Sequence, residues 1–379
     1  MEQENTINTN KQRLKLGFTY KELGAFLLLF FLTLKFTVIV ILHSRSIVID
    51  FIVYGLFVAT FNYSNWTYKS LFQTGLVIGI YTLINFSPYK LNVLMPLLII
   101  QTVSGISFKR YLTINFIISG VFLLLMYIIN GEGYNMAGFN FMVDRKTRMS
   151  FGFNHPNVAA LSYYLFIVNG LLLMYFSKFK KQIPLYLLLI IPLWFYIYKM
   201  TASRSFLLSI VILYGSYFYF SIGKRINKEN RFKVTSYIYI ALPFLFSAMT
   251  LFFSYFREEF GILDRILSKR LTFYSWYLDT LNPMAVFFGS DTYEDFVIDS
   301  SYLHLLFEGG IFFFIGYCLF YVISTINMVN NKAWVPTCVI MSFMAYGLME
   351  SMLLYSMLIG TNIYWITLYF YYKNGKMKL

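Results

Sequence analysis

The chain is a succession of long apolar runs, each ended by one or a few cations, and no other feature restricts its fold so strongly. Runs approaching the ~20 residues that a helix needs to cross a bilayer recur from residue 22 to residue 372. In hydrocarbon every backbone N–H and C=O needs a partner inside the protein, so such runs become helices, not open strands. Charged residues make up 13% of the 379, about half of the ~25% that a soluble domain uses to cover its surface, while apolar residues make up 58%. A soluble domain is thereby excluded.

Breakers and apolar runs place about twelve spans near 22–42, 46–61, 68–86, 91–106, 111–130, 157–177, 183–199, 205–222, 235–255, 301–327, 333–349 and 352–372. The fold expected is all-α, a single polytopic membrane domain over 1–379. With Lys11, Arg13, Lys15 and Lys21 placed in the cytoplasm, the connections divide 19 Lys and Arg inside against 11 outside, leaving Lys35 within a span. That excess follows the positive-inside rule and puts both termini in the cytoplasm. The first run has no small-residue cleavage site and is read as a retained helix. Residues 1–12 form a polar tail expected to be disordered. The net charge of +14 punctuates the apolar runs and forms no basic domain, so nucleic acid is not the expected partner. Cys318 and Cys338 both lie inside apolar runs and suggest no disulfide framework.

Inner connections are short and lack the acidic clusters that would hold a metal and a nucleotide diphosphate. The outer side is richer. It carries the loop 131–156, the turn "KMTASRSF" and the large loop 257–300, and all three histidines fall at or near it. In "TASRSF", Arg204 sits at the outer end of a span, where a guanidinium either snorkels to headgroups or grips a phosphate with two parallel hydrogen bonds. "LDRILSKRLTFYSWYLDTL" spaces Ile262, Leu263, Ile266, Leu267, Leu271, Tyr274 and Leu278 by threes and fours, which predicts one amphipathic helix along the membrane surface with Arg270 at its middle. The acidic group Asp291, Glu294, Asp295 and Asp299 is either solvated or a ligand set. Asp299, directly before an apolar run, also reads as a helix-terminal acid. Glu308 and Glu350 lie within or at the ends of spans, where ionisable groups are costly and face polar cavities. Glu308 follows His304 at i+4, so the two share a helix face and either satisfy each other or act together.

"RMSFGFNHPNVAA", "TASRSFLLSIVIL" and "LSKRLTFYSWYLDTL…FFGS" with "IDSSYLHLLFEGGIFFF" together resemble the O-antigen polymerase and ligase superfamily, most closely the polymerases of capsular or exopolysaccharide repeat units. The resemblance covers residues 145–315. It implies an enzyme of the cytoplasmic membrane, its site facing outside, that transfers a growing glycan from undecaprenyl pyrophosphate to an incoming lipid-linked repeat unit. Neither metal nor other cofactor is implied. The partners implied are those lipid-linked units, membrane lipids, a flippase and a chain-length regulator. Arg204 and Arg270 match the family's arginines near the pyrophosphate, and Arg148 is a further candidate. "GFNHPN" carries His155 and Asn157 over. Ser300 stands where relatives have an asparagine after the candidate base Asp299. His155 and His304 are the other candidates for the base that deprotonates the acceptor hydroxyl. Glu308 joins Asn157 as a substrate-binding candidate, and Tyr274 and Trp276 are candidates for stacking on sugars. The rivals are a ligase of finished polymer and a transporter such as a flippase of the lipid-linked unit. The gathering of polar residues on one side, with few charges deep in the spans, weighs against transport.

Overall fold

A computed structural model describes residues 19–42, 46–60, 90–131, 141–143, 146–153, 155–226, 229–267, 269–280, 283–289, 298–353 and 361–374. The expected tail 1–12, the run 68–86, Asn154 and the acids Asp291, Glu294 and Asp295 lie outside the described residues. The described elements are helical except for one antiparallel ribbon, β1 (Phe141–Val143) with β2 (Lys146–Arg148), a small departure from the all-α expectation.

In chain order the helices are α1 (Tyr20–Leu42), α2 (Ile47–Thr60), α3 (Lys90–Val103), α4 (Phe108–Gly131), α5 (Pro156–Tyr175), α6 (Ile183–Leu189), α7 (Ile191–Thr201), α8 (Arg204–Ile226), α9 (Glu229–Tyr255), α10 (Gly261–Ile266), α11 (Arg270–Thr280), α12 (Pro283–Phe288), α13 (Ser301–Asn330), α14 (Trp334–Met349) and α15 (Asn362–Lys373). Among the described residues five stretches are long and apolar enough to cross a membrane: Phe108–Ile128, Pro156–Tyr175, Arg204–Ile222, Tyr237–Tyr255 and Ser301–Asn330. The bent pair Lys180–Leu189 and Ile191–Thr201, with 41° between its halves, is a sixth if it counts as one span. Ile47–Thr60 and Trp334–Met349 are apolar but shorter.

Helix α14 is apolar on every side, and a helix of that kind belongs in the middle of a bundle. It is buried along most of its length and packs against α8, α13 and α5. Its Tyr346 lies against Tyr164 of α5, and Ser342 hydrogen-bonds the Tyr164 hydroxyl at 2.6 Å. Around this axis α4 packs on α5, α9 on α13, and α13 on α15. Lys35, the one cation expected within a span, has a structural answer: its Nζ is 2.5 Å from Asp50 Oδ1 at the start of α2, so the ion pair ties α1 to α2.

The 30 residues of α13 would reach about 45 Å if straight. The helix instead breaks at Gly310, where φ is 74° and ψ is 170°. The short helix α12 seats in that break.

The segment expected to form one amphipathic helix is two. Lys269 adopts a left-handed φ of 63°, ending α10 and letting α11 begin at Arg270 in a new direction. The apolar stripe therefore splits. Leu271, Tyr274 and Tyr277 are buried with Ile298, Leu303 and Phe307 in a small second core, while Ile262 and Ile266 on α10 are exposed.

Candidate functional site

Helices α5, α8, α11 and α13 begin at the same end of the bundle where α7 and α14 finish, and the polar motifs meet there. Because α14 is the central helix, the residue after its last turn arrives in the middle of this ring. That residue is Glu350, in extended backbone.

The Glu350 carboxylate joins three separate elements. Its Oε1 accepts from Asn157 Nδ2 at 2.8 Å and from Ser205 Oγ at 3.1 Å, and Arg270 Nη2 lies 3.5 Å away. Arg270 also places its Nε 2.7 Å from Asp299 Oδ2. The guanidinium thus lies between two carboxylates that precede α13 and follow α14. The backbone carbonyl of Glu350 accepts from Ser301 Oγ at 2.5 Å, and Ser301 Oγ in turn accepts the N–H of Met352 at 2.9 Å.

Arg270 is held in place from the preceding helix. Asp264 accepts the N–H of Leu271 at 2.8 Å and of Thr272 at 3.2 Å, and takes the Thr272 hydroxyl at 2.5 Å. It supplies the capping that the first turn of α11 lacks within itself.

"RMSFGFNHPN" resolves into a brace and a cap. Arg148 Nε donates to the Thr201 carbonyl at 2.5 Å, closing the C-terminus of α7, and Nη2 donates to Asn157 Oδ1 at 2.6 Å. A cation at the carbonyl end of a helix is favourable. Two donors of the expected pyrophosphate ligand Arg148 are thus committed to protein. Phe151 and Gly152 both take positive φ, 49° and 83°, and this tight reversal lets the rings of Phe151 and Phe153 bury on either side. Gly152 is the residue type that such a turn demands.

His155 is the N-cap of α5, with Pro156 at the first helical position, where its missing N–H costs nothing. Its Nδ1 accepts the N–H of Asn157 at 3.1 Å. Burial lowers the imidazole pKa, and Arg148 and Arg270 lower it further against the opposing pull of Asp299. The ring is therefore neutral, with its proton on Nε2 and its lone pair spent on the cap, so it has no lone pair left for a general base. His155→Ala is expected to cost ~1 kcal/mol of stability, and His155→Asn to restore most of it, because asparagine caps as well. Thermal melting in detergent checks this; equal losses in both variants would show that the side chain does not act as the cap.

The remaining candidates divide. Arg204, exposed at the start of α8, donates from Nη1 to the Ile266 carbonyl at 2.6 Å, linking α8 to α10. His304 is 2% exposed, and its Nδ1 lies 3.4 Å from Glu308 Oε1. The i+4 pairing holds, but both groups are buried in the bundle, out of reach of a substrate at this end. Tyr274 is also 2% exposed and packs beneath Arg270 and Asp299, which removes it from sugar stacking. Trp276 is 47% exposed on the other face of α11, with Phe273 edge-on at 5.7 Å, and is open to a flat ligand. Asp299 does not cap α13: the N-cap is Ser300, and the carboxylate turns to Arg270 instead.

Sequence patterning singled out Arg148, His155, Asn157, Arg270 and Asp299, and the fold brings these into one network. It did not foresee Glu350 as the hub, nor Ser205 and Asp264 as its supports. The available signal was a lone carboxyl between two apolar runs. Burial pushes the Glu350 pKa up to about 7, with Asp299 adding to that, while Arg270 and the Ser205 hydroxyl pull it back. The negative end of the α14 dipole acts in the same direction as burial.

Arg148 and Arg270 lie beside the Glu350 and Asp299 carboxylates, and Arg204 adds a further cation near Arg148. Four helix N-termini add their positive ends, and such a place suits an anion. Among the described residues no three His, Cys, Asp or Glu side chains come together as metal ligands. Comparison of the chain with family models, with curated proteins and with solved structures finds no match.

Proposed function

We propose that the chain is a polysaccharide polymerase of the cytoplasmic membrane, with about twelve spans, both termini in the cytoplasm and its site on the outer side. It transfers a growing glycan from undecaprenyl pyrophosphate to the end of an incoming lipid-linked repeat unit, without a metal. The observation that carries this reading is the meeting of Arg148, Arg204 and Arg270 at one end of an apolar helical bundle. A substrate whose reacting bond joins a sugar to a lipid pyrophosphate must present its anion at that depth.

The chemistry follows from charge. As the bond between the anomeric carbon and pyrophosphate breaks, negative charge grows on the departing oxygen. Arg204 and Arg270 sit at the cationic mouth to receive it, and charge stabilisation of this kind is worth most where water is scarce. Arg148 keeps the α5 and α7 ends together and adds its charge to theirs. Trp276 offers an exposed indole on the opposite face of α11 for a sugar face. The flippase and chain-length regulator expected as partners belong to the same reading.

The test is polysaccharide length in the native strain. Removing the chain is expected to leave single repeat units on lipid. Arg204→Ala is expected to cut long-chain product by about tenfold or more, since one of the charge-stabilising donors is lost. Polymer of normal length in either strain, with the variant protein at its usual level, would defeat the proposal.

A further inference from the structure

Three groups were expected to compete for the role of base, and the structure gives each of them other work. The His155 lone pair caps α5, His304 is buried against Glu308, and the Asp299 carboxylate is held at 2.7 Å by Arg270. The Asp299 carboxylate is thus already engaged in fixing the direction of the Arg270 side chain. Glu350 is differently placed. Every hydrogen bond its side chain makes to the described residues falls on Oε1, leaving Oε2 without a partner among them, and the side chain keeps 18% of its exposure.

We propose that Glu350 is the group that takes the proton from the attacking hydroxyl, and that Asp299 is a positioning residue that aims Arg270. This deepens the polymerase reading and rests on it. In the step, the acceptor O–H proton passes to Glu350 Oε2 and the hydroxyl oxygen forms the new bond to the anomeric carbon. The bond from that carbon to the pyrophosphate oxygen breaks, and its electron pair leaves with the pyrophosphate toward Arg204 and Arg270. Glu350 then releases the proton to water. Asn157 and Ser205 fix Oε1, so the second oxygen has a defined direction.

The groups facing Glu350 are Arg270 and Tyr274 from α11, Asp299 before α13, Arg148 from β2 and Tyr346 from its own helix. A base that ionises near neutrality has the match of availability and strength that proton transfer needs at physiological pH. The rate should therefore climb with pH along an acid limb centred near 7. Stability runs the other way. The unfolded chain releases this proton near 4.5 and the folded one near 7, so wild type should lose stability relative to Glu350→Gln between those values and then level off.

The experiment uses the full chain in detergent or nanodiscs with undecaprenyl pyrophosphate as binding probe, and native-strain membranes for polymer formation. Glu350→Gln is expected to bind the probe within about threefold of wild type, while polymer formation falls by about 100-fold or more and loses its acid limb. If Glu350→Gln keeps a tenth of the wild-type rate with the limb in place, the assignment to Glu350 is wrong. Should that variant fail to accumulate, Ser205→Ala decides: removing a donor to the ionised carboxylate should move the limb up by about half a pH unit. An unmoved limb overturns the inference. The polymerase reading has its own arm, since wild type that does not bind the probe, or Arg270→Ala that binds it equally well, brings down both.

Discussion

Arg270→Ala is expected to reduce polymer formation by about 1,000-fold, more than any other single change at this end of the molecule. Two losses combine. The leaving pyrophosphate loses a charged donor, which alone is worth about 100- to 1,000-fold at sites that stabilise developing negative charge. In addition, Asp299 and Glu350, now 2.7 and 3.5 Å from the same guanidinium, are left facing one another without it between them. Like charges raise each other's pKa, so the base is held protonated just when it should be free. Arg270→Lys restores the charge but not the geometry. An ammonium is a compact point charge without the planar fork that spans Asp299, Glu350 and a phosphate together, so recovery of only about tenfold is expected. The measurement is chain-length distribution of the surface polysaccharide, alongside the melting temperature of each purified variant. Full-length polymer from well-folded Arg270→Ala would remove the arginine from the mechanism.

The largest expected effect on the fold comes from Gly310→Ala. Gly310 occupies φ 74° with ψ 170°, a combination open in practice to glycine alone. A methyl group there would also run into the Phe287 carbonyl and the backbone nitrogen of Gly289. Gly289, itself at φ 84°, meets the Glu308 carbonyl in the same way, so α12 and α13 interlock backbone against backbone with no room for a side chain on either. Backbone strain and overpacking each cost ~1–3 kcal/mol, giving about 3–4 kcal/mol together. The first half of α13 carries Ser301 and follows Asp299, so function should fail with stability. Gly316→Ala, later in the same helix with open space around it, is the control and should be stabilising by up to ~1 kcal/mol. Equal melting of the two variants would contradict the interlock.

The helices were legible from apolar runs because their energetics are local. The run read at 22–42 is the helix Tyr20–Leu42, that at 205–222 lies within Arg204–Ile226, and the pause at 200–204 is where Ala202 turns left-handed. The single helix expected across "LDRILSKRLTFYSWYLDTL" divides in two for an equally physical reason. Spacing by threes and fours records which side chains are apolar, but it is blind to a single residue, Lys269, whose backbone reverses sign and splits the stripe. His155 and Tyr274 show the same limit. Residue type made them eligible for chemistry, but an accepted N–H in one case and a buried ring in the other assigned them to holding the fold.

What the sequence by itself determined is the helical character of the chain and the polarity of the segments between its apolar runs. Burial of apolar area and satisfaction of backbone groups depend on the composition of each run, with little regard to its neighbours. What only the tertiary structure decided is which charge faces which. Arg270 meets Asp299 and, 80 residues away in the chain, Glu350, while Glu350 meets Asn157 across 193. Coulombic and hydrogen-bond energies turn on distances of a few ångströms, and those distances exist only once α5, α8, α11 and α13 have packed around the end of α14.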